Sequence, residues 1–368
     1  MEEFYWAALG AAKGIDTARM LALVRAFGSA QNLYEAETED ILATGILAPE
    51  RSGQFAEGMK KNKMLPGRLQ AQCERLGISV VPVVSPLYPE RLKRIQRPPV
   101  VLYVKGRLPD CRYSMGMVGS RMADAYGKKV AASFGRALAE AGVVVVSGGA
   151  AGIDTASHEG ALQGGGKTVA VLGCGVDIVY PPANSKLFAA IEANGAVVSE
   201  YPPGTPPDRF RFPERNRIIS GICQGIVLVQ AAKRSGALIT AEFAMDEGRE
   251  VFCIPGNIFT DTSSGPHRLI KAGARLTDSP RDILEEVFPE LCGSAHSNLF
   301  AGLTDTAPLR NCTEGQRKIL DLLTQGPQTL EQLVRATGYS TGEASVMLLE
   351  LQMTGFVQMN AAQQYFQV

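Results

Sequence analysis

Residues 143–160 read VVVVSGGAAGIDTASHEG, in which a run of valines leads through a glycine-rich turn into a helical pattern. A continuous β-branched run bounded by glycine is typical of a buried strand in a parallel sheet. Glycines let the backbone approach an anion, and the free N–H groups of the first helical turn point towards it. This stretch therefore predicts a strand–loop–helix unit whose loop lies at the ligand-binding edge of an open α/β sheet.

The same alternation extends over residues 112–288, which we take as one domain. Valine- and isoleucine-rich runs alternate there with amphipathic stretches, which predicts an α/β fold with a doubly wound, Rossmann-like parallel sheet. The predicted strands are Tyr113–Val118, Val143–Ser147, Thr168–Leu172, Ala196–Ser199, Gly225–Val229 and Glu250–Ile254. The predicted helices are Met122–Ala141, Gly152–Gln163, Asn184–Ala193 and Ala237–Glu247.

Four further segments flank this domain. Residues 1–65 predict a small helical module, of the sterile-alpha-motif or helix-hairpin-helix kind or a plain packing domain, with helices over Thr17–Val24 and about Asn32–Ala43. Residues 66–111 predict an extension of short strands at the sheet edge, because their prolines cannot occupy central positions. Residues 289–312 lack periodicity and predict a linker. Residues 313–368 predict three helices and a two-stranded ribbon, which together make a winged helix.

Composition excludes several classes of protein. The 368 residues carry 37 Lys+Arg and 37 Asp+Glu, so a generally basic nucleic-acid coat is excluded, although a local basic patch is not. The start of the chain lacks the positive region of a signal peptide, and no apolar run reaches membrane-spanning length. Seven scattered cysteines without a C-x-x-C pair argue against a disulfide scaffold or a zinc site. We expect a cytoplasmic protein with no metal or cofactor.

The loops that follow the strands predict a phosphate site. Ser120 and Arg121 follow the first strand, Gly148–Ala150 follow the second, and Lys233, Ser235 and Gly236 follow the fifth. Glycines could also serve only tight strand-to-helix packing, and Lys233 could simply be exposed. The first strand is followed by GSRMAD, which lacks the G-x-G-x-x-G fingerprint, and no Walker A sequence occurs. A nicotinamide or ATP site is therefore not predicted.

The segment Arg209–Arg217 (RFRFPERNR) holds four arginines and one acid in a chain of zero net charge. Pro213 biases Phe212 towards an extended backbone, in which arginines and phenylalanines would alternate sides. Arginine for phosphate and an aromatic face for a base are the parts of a single-strand binding groove. The competing interpretation places the phenylalanines in the core and the arginines on a solvated face. Arg215, Asn216 and Arg217 are predicted to open the next helix.

Support for catalysis is poor. The three histidines have no motif partner, and Asp154, Asp177 and Glu200 have no spacing that pairs an acid with a base. Asp154 is better explained as a residue that caps its helix or holds the glycine loop. Cys174 follows a strand, but nothing local would lower its pKa. The alternative is a nucleotide hydrolase or phosphoribohydrolase that uses the same loops with Glu200 or Asp154.

Eight motifs, in order, resemble those of the DNA processing protein A family (DprA, also called Smf). They are GSR, SGGAAGIDTASH, VLGCGVDIVYP, SEYPPG, FPERNRIISG, SGALITAEFA, VFCIPG and SGPHRLIKAGA, and the match as a whole covers roughly residues 80–290. The predicted helical module at residues 1–65 and the predicted winged helix at residues 313–368 also agree with the longer members of that family. Gln230 stands where the family pattern usually has Glu, and His267 where Asn is common; we expect neither in the binding groove.

The resemblance implies a protein of natural transformation that binds single-stranded DNA, protects incoming strands and loads the RecA recombinase, without being an enzyme. A pure adaptor for the recombinase is a third alternative. The resemblance to the family also implies a homodimer formed near Leu269–Leu276. The residues expected to contact DNA are Ser120, Arg121, Gly148, Gly149, Ala150, Arg209, Phe212, Arg215, Asn216, Arg217, Lys233, Ser235 and Gly236.

The tail is expected to differ in function from many winged helices, which read duplex DNA through a basic recognition helix. No Lys or Arg occurs from Ala336 to Val368, and Glu343 and Glu350 lie at the recognition-helix position. Duplex affinity would be poor without phosphate neutralisation. We predict that the tail makes protein contacts or none.

Overall fold

The computed structural model describes residues 1–12, 15–61, 65–292, 313–324, 326–353, 356–360 and 363–367. The chain divides into two compact units, residues 1–294 and 295–368. Among the described residues, no helix combines the length and apolar character needed to cross a bilayer.

The first unit contains a nine-stranded sheet. Its strands are β1 Ile78–Pro82, β2 Val101–Gly106, β3 Ser114–Val118, β4 Val144–Ser147, β5 Thr168–Leu172, β6 Ala196–Ser199, β7 Gly225–Leu228, β8 Glu250–Cys253 and β9 Arg275–Leu276. Their order across the sheet is β1-β2-β6-β5-β4-β3-β7-β8-β9. Strands β3 to β9 pair in parallel, whereas β2 is antiparallel to β6 and β1 to β2. The predicted doubly wound sheet is therefore confirmed, and β1 and β2 extend one edge of it in antiparallel pairing.

Fourteen helices belong to the described part of this unit. They are α1 Glu2–Gly10, α2 Thr17–Phe27, α3 Ala30–Glu35, α4 Thr38–Ala43, α5 Pro49–Lys61, α6 Leu65–Leu76, α7 Ala125–Glu140, α8 Ile153–Gln163, α9 Ser185–Asn194, α10 Arg211–Ile222, α11 Ala237–Asp246, α12 Ser264–Lys271, α13 Pro280–Val287 and α14 Pro289–Cys292. The predicted helix over Asn32–Ala43 is in fact two helices. Helix α14 replaces the start of the predicted linker, and residues 293–312 lie outside the described residues.

Local sequence explains how the front helices form. Asp16 caps α2 by accepting a hydrogen bond from the backbone N–H of Arg19 at 2.8 Å, and Gly28 ends the helix with φ of 82°. Trp6 and Leu23 are buried in the same hydrophobic cluster as Tyr103 of β2. The helices of residues 1–65 therefore share a core with the sheet. The domain boundaries predicted at 65/66 and 111/112 stay sequence predictions.

The strand order places a topological switch point beside β3. Strands β4, β5 and β6 extend from one side of β3, and β7, β8 and β9 extend from the other. The loops that leave β3 and β7 therefore connect to helices in opposite directions along the sheet, which opens a crevice at the carboxyl ends of these strands.

The second unit has the predicted winged-helix fold. Helices α15 Glu314–Leu323, α16 Leu330–Thr337 and α17 Thr341–Met353 are followed by strands β11 Val357–Met359 and β12 Gln364–Gln367. Gly338 ends α16 in the left-handed conformation. A short strand, β10 Gln328–Thr329, pairs with β12, so the sheet has three strands rather than the two predicted. Glu343 and Glu350 are exposed on α17.

Candidate functional site

A cavity of about 680 Å³ opens at the switch point. Its lining comes from the loops after β3, β4, β5, β6 and β7 and from the helices that follow them. Its volume lies within the range of ordinary ligand sites. Nine of the predicted contact residues line it: Ser120, Arg121, Ala150, Arg209, Phe212, Arg215, Asn216, Ser235 and Gly236.

The Arg215 side chain supports the glycine loop, residues 148–152, through hydrogen bonds. Its side chain is buried, and its Nη1 donates hydrogen bonds to the carbonyl oxygens of Gly148, at 2.9 Å, and of Val171. Burial lowers the pKa of Arg215 to about 10, opposed by the attraction of Asp154, so the guanidinium stays protonated at neutral pH. A Cβ at Gly148 would lie 2.5 Å from Arg215 Nη2 and 2.7 Å from Asp154 Oδ2, so a larger residue there would displace one of these side chains. The geometry therefore gives Arg215 a structural task, the support of the glycine loop at the wall of the cavity.

Asp154 is the buried counter-charge in this arrangement. Burial raises the pKa of its carboxyl, whereas Arg215 and the N–H of Ala150 lower it. Its Oδ2 accepts the Ala150 N–H at 3.3 Å, which holds the loop as predicted. The alternative that Asp154 caps its helix is wrong, because Gly152 occupies the N-cap position and the helix has no side-chain cap.

The loop that carries Ser120 and Arg121 is fixed by β7 and α8. The Ser120 N–H donates to the Gln230 carbonyl at 2.7 Å, and the Ile153 N–H donates to the Ser120 carbonyl at 3.2 Å. Gln230 Nε2 also donates to Asp124 Oδ1 at 3.0 Å. Gln230 lies outside the cavity lining, as expected, but its amide positions the loop, and a glutamine can donate to Asp124 where an ionised glutamate could not.

The extended conformation predicted for Arg209–Phe212 is wrong. Asp208 Oδ1 accepts the Phe210 N–H at 3.0 Å, the Asp208 carbonyl accepts the Arg211 N–H at 3.0 Å, and α10 begins at Arg211. Pro213 fits because the N–H groups of a first helical turn have no partner within the helix. The turn before α10 therefore outweighs the local bias of Pro213, and arginine and phenylalanine side chains do not alternate there.

Aromatic and cationic side chains nevertheless meet at the cavity. The Arg121 guanidinium carbon lies 5.2 Å from the centre of the Phe212 ring, and the Tyr180 ring centre lies 5.6 Å from it. Arg209 lies 4.7 Å from the centre of the exposed Phe210 ring. These contacts position two exposed arginines beside aromatic rings, which is the combination that a groove for unpaired nucleotides uses.

Four predicted contact residues lie outside the cavity lining. Gly148 turns its carbonyl towards Arg215, and a side chain at Gly149 would meet the Phe188 ring, so both positions serve packing of the loop. Lys233 is exposed beyond the lining. Arg217 pairs with Glu200, Nη2 to Oε2 at 2.5 Å, against a second cavity on another side of α10. The prediction that Arg215, Asn216 and Arg217 open the helix is wrong, because α10 begins at Arg211. Arg215 and Asn216 still line the cavity, whereas Arg217 does not.

The same geometry weakens the hydrolase alternative. Glu200 is held by Arg217 and does not line the 680 Å³ cavity, and Asp154 is engaged with the loop that it supports. Burial raises the pKa of Cys174 to about 11, so its thiol is protonated at neutral pH. Among the described residues, no three His, Cys, Asp or Glu side chains form a group that could hold a metal ion.

His158 is a buried neutral residue of α8. Its Nδ1 lies 2.6 Å from Thr168 Oγ1, and because that hydroxyl donates to the Val145 carbonyl, Nδ1 carries the hydrogen and donates to the hydroxyl. Burial lowers the pKa of His158 to about 3. Between pH 6.5 and 3 the unfolded chain therefore binds a proton at this residue that the native chain does not.

We predict that His158 makes stability sensitive to acid. The free energy of unfolding should fall as pH drops below about 6.5, by up to about 1.4 kcal/mol per pH unit for this one proton. His158→Asn should remove that component, measured by urea denaturation from pH 7 to pH 4. Parallel stability curves for the wild-type protein and the variant would contradict the prediction.

Residues that the sequence did not single out also line the cavity. Tyr180, Met122, Pro207 and Thr240 are the clearest examples. Tyr180 lies within one of the eight motifs, which was the available signal, but nothing in its spacing predicts contact with Phe212.

Comparison with known proteins gives two family matches. The family model described as DNA recombination-mediator protein A matches residues 79–288, and that described as DprA winged helix domain matches residues 304–361. DNA processing protein DprA of Streptococcus pneumoniae is 47% identical over 205 residues, 55% of this chain and 72% of that protein. Protein Smf of Synechocystis is 32% identical over 400 residues, 99% of this chain and 98% of that protein.

Two solved structures are similar. The X-ray structure of DprA from Streptococcus pneumoniae has a TM-score of 0.67 and 37% identity, covering 77% of this chain and 98% of that one. DNA processing protein A from Helicobacter pylori has a TM-score of 0.52 and 26% identity, covering 58% of this chain and 96% of that one. The latter structure is described as giving insight into that protein's unique single-stranded DNA binding mode.

Proposed function

The chain belongs to the DNA recombination-mediator protein A family, and from that premise we propose that it binds single-stranded DNA in the cavity at the strand ends. One observation carries the proposal. Arg121 and Arg209 are exposed at the cavity, and neither forms an ion pair within the described part of the chain. Two uncompensated cations in a protein of zero net charge give this cavity a local attraction for phosphate.

The aromatic lining of the cavity favours unpaired strands over duplex DNA. Phe212 and Tyr180 line it beside Arg121. Aromatic rings can stack only on bases whose faces are free, which a duplex does not offer. The winged-helix unit adds little for duplex binding, because Ala336–Val368 contains no Lys or Arg.

In the cell, the proposed role is to protect incoming single strands during natural transformation and to load the RecA recombinase, as a cytoplasmic binding protein rather than an enzyme. Family membership supports this role. Stimulation of RecA-dependent strand exchange measures the loading step, and its absence would exclude that step.

The proposed homodimer forms through the C-terminal part of the Rossmann-like domain. Leu269 is buried in the core, whereas Leu276 is 53% exposed on the edge strand β9. An exposed leucine on an open strand edge is the feature of this region best suited to meet a second copy. Light scattering of Leu276→Asp tests the dimer, which should dissociate more readily; an unchanged mass would exclude this surface.

We predict that Arg121→Ala weakens binding to oligo-dT about 10-fold or more, because it removes a phosphate contact and the cation over Phe212. Fluorescence anisotropy at fixed salt measures the loss. Arg136→Ala is the matched control, since Arg136 is exposed on α7, pairs with Glu140 and does not line the cavity. Equal affinity of both variants and the wild-type protein would contradict the proposed site.

A further inference from the structure

Phe212 is too enclosed to be the main stacking surface for a base. Its ring contacts the Arg121 guanidinium at 5.2 Å and the Tyr180 ring at 5.6 Å, measured to the ring centre. On another side, a Cβ at Gly173 would lie 3.0 Å from Phe212 Cδ1, so the ring rests against that backbone. A base that approached Phe212 would have to displace one of these neighbours.

Tyr180 offers the free ring surface that Phe212 lacks. It follows β5 in the segment after Gly173, lines the 680 Å³ cavity and keeps 39% of its surface exposed. Its ring meets Phe212 at an interplanar angle of 32°, so Phe212 supports it while part of the ring still faces solvent. The Tyr180 ring is thus positioned by packing before any ligand arrives.

We propose that Tyr180 is the stacking platform for one unpaired base, with Phe212 as a positioning residue and Arg121 as the nearby phosphate contact. This inference rests on the proposed function of the cavity and adds a residue to it. A tyrosine face accepts any base, so the contact favours unpaired nucleotides without selecting a sequence. The strand would pass with its backbone near Arg121 and one base against Tyr180.

The test uses oligo-dT that carries a single central 2-aminopurine, with the full-length protein. Stacking quenches 2-aminopurine fluorescence, so quenching reports contact with an aromatic ring directly. Tyr180→Ala should lose this quenching and bind about 5- to 150-fold more weakly, with an unchanged salt dependence because no charge is removed. Tyr180→Phe should retain both properties.

Tyr126→Ala is the matched control. Tyr126 is an exposed tyrosine at the start of α7 that does not line the cavity, and its hydroxyl donates to the Pro255 carbonyl at 2.9 Å. The Tyr126→Ala variant should bind oligo-dT and quench the 2-aminopurine fluorescence as the wild-type protein does. Urea denaturation of all variants separates lost binding from lost folding.

The outcomes separate this inference from the proposed function. If Arg121→Ala weakens binding while Tyr180→Ala retains affinity and quenching, the stacking platform is wrong and the cavity still binds DNA. If the wild-type protein does not bind oligo-dT, the proposed function fails and the platform fails with it. Loss of quenching in Tyr180→Ala, with retention in Tyr180→Phe and Tyr126→Ala, supports the platform.

Discussion

Replacing Arg215 by alanine is expected to lower the free energy of unfolding by about 3–5 kcal/mol. Arg215 is only 4% exposed, and its guanidinium donates to two backbone carbonyls, of Gly148 and Val171. Its removal leaves both carbonyls without that donor and removes the positive charge that lowers the pKa of the buried Asp154. Removing a buried charged group is strongly destabilising because the groups that it held stay buried without a partner.

The control for this variant is Arg209→Ala, which removes an exposed arginine from the segment before α10 and should change stability by no more than about 0.5 kcal/mol. Urea denaturation measures both. A loss of less than about 1 kcal/mol for Arg215→Ala would mean that Arg215 does not support the glycine loop. Any fall in DNA affinity of this variant would follow from loop disorder, so its salt dependence should stay close to that of the wild-type protein.

Gly152→Ala should be the second severe change, with an expected loss of about 2–4 kcal/mol in the free energy of unfolding. Gly152 has φ of 82°, a conformation that side chains rarely adopt. A Cβ there would also overlap the carbonyl oxygens of Ser120 and Arg121. The substitution must therefore push apart the loops that follow β3 and β4, so DNA affinity should fall with stability.

Gly165→Ala separates the two causes. Gly165 has a similar φ of 67°, but nothing lies within 4 Å of its added Cβ. Only the backbone cost of about 1–2 kcal/mol applies there, and the cavity should be unaffected. Equal losses for the two variants, each measured by urea denaturation, would show that close approach of the loops contributes nothing.

The sheet could be predicted from the sequence because its signals are local. Val143–Ser147 and Thr168–Leu172 are β-branched runs between glycines, and the structure places strands at 144–147 and 168–172. Buried parallel strands need apolar residues on both faces, so their composition alone distinguishes them. The approximate position of the cavity followed as well, since strand ends in such a sheet meet at one edge.

The partners of individual arginine side chains could not be predicted from local sequence. Arg215 and Arg217 are two residues apart, yet one supports the glycine loop and the other pairs with Glu200. On a helix, residues two apart point in different directions, so the partner of each depends on where the helix packs. The turn at Asp208 starts α10 at Arg211 and so fixes the directions of the Arg215 and Arg217 side chains. Pro213 had suggested an extended backbone there instead. The contact between Tyr180 and Phe212 joins two distant segments and likewise needed the fold.

Arg121 is proposed to contact phosphate at the strand-end cavity, and the salt dependence of oligo-dT binding measures that contact. In a titration from low to high salt, the slope of log affinity against log salt should be shallower for Arg121→Ala than for the wild-type protein by about 0.7, the share of one phosphate contact on a single strand. Arg136→Ala should keep the wild-type slope, and a matched duplex should bind more weakly than oligo-dT throughout. An Arg121→Ala slope equal to that of the wild-type protein, or equal affinity for duplex and single strand, would contradict the account.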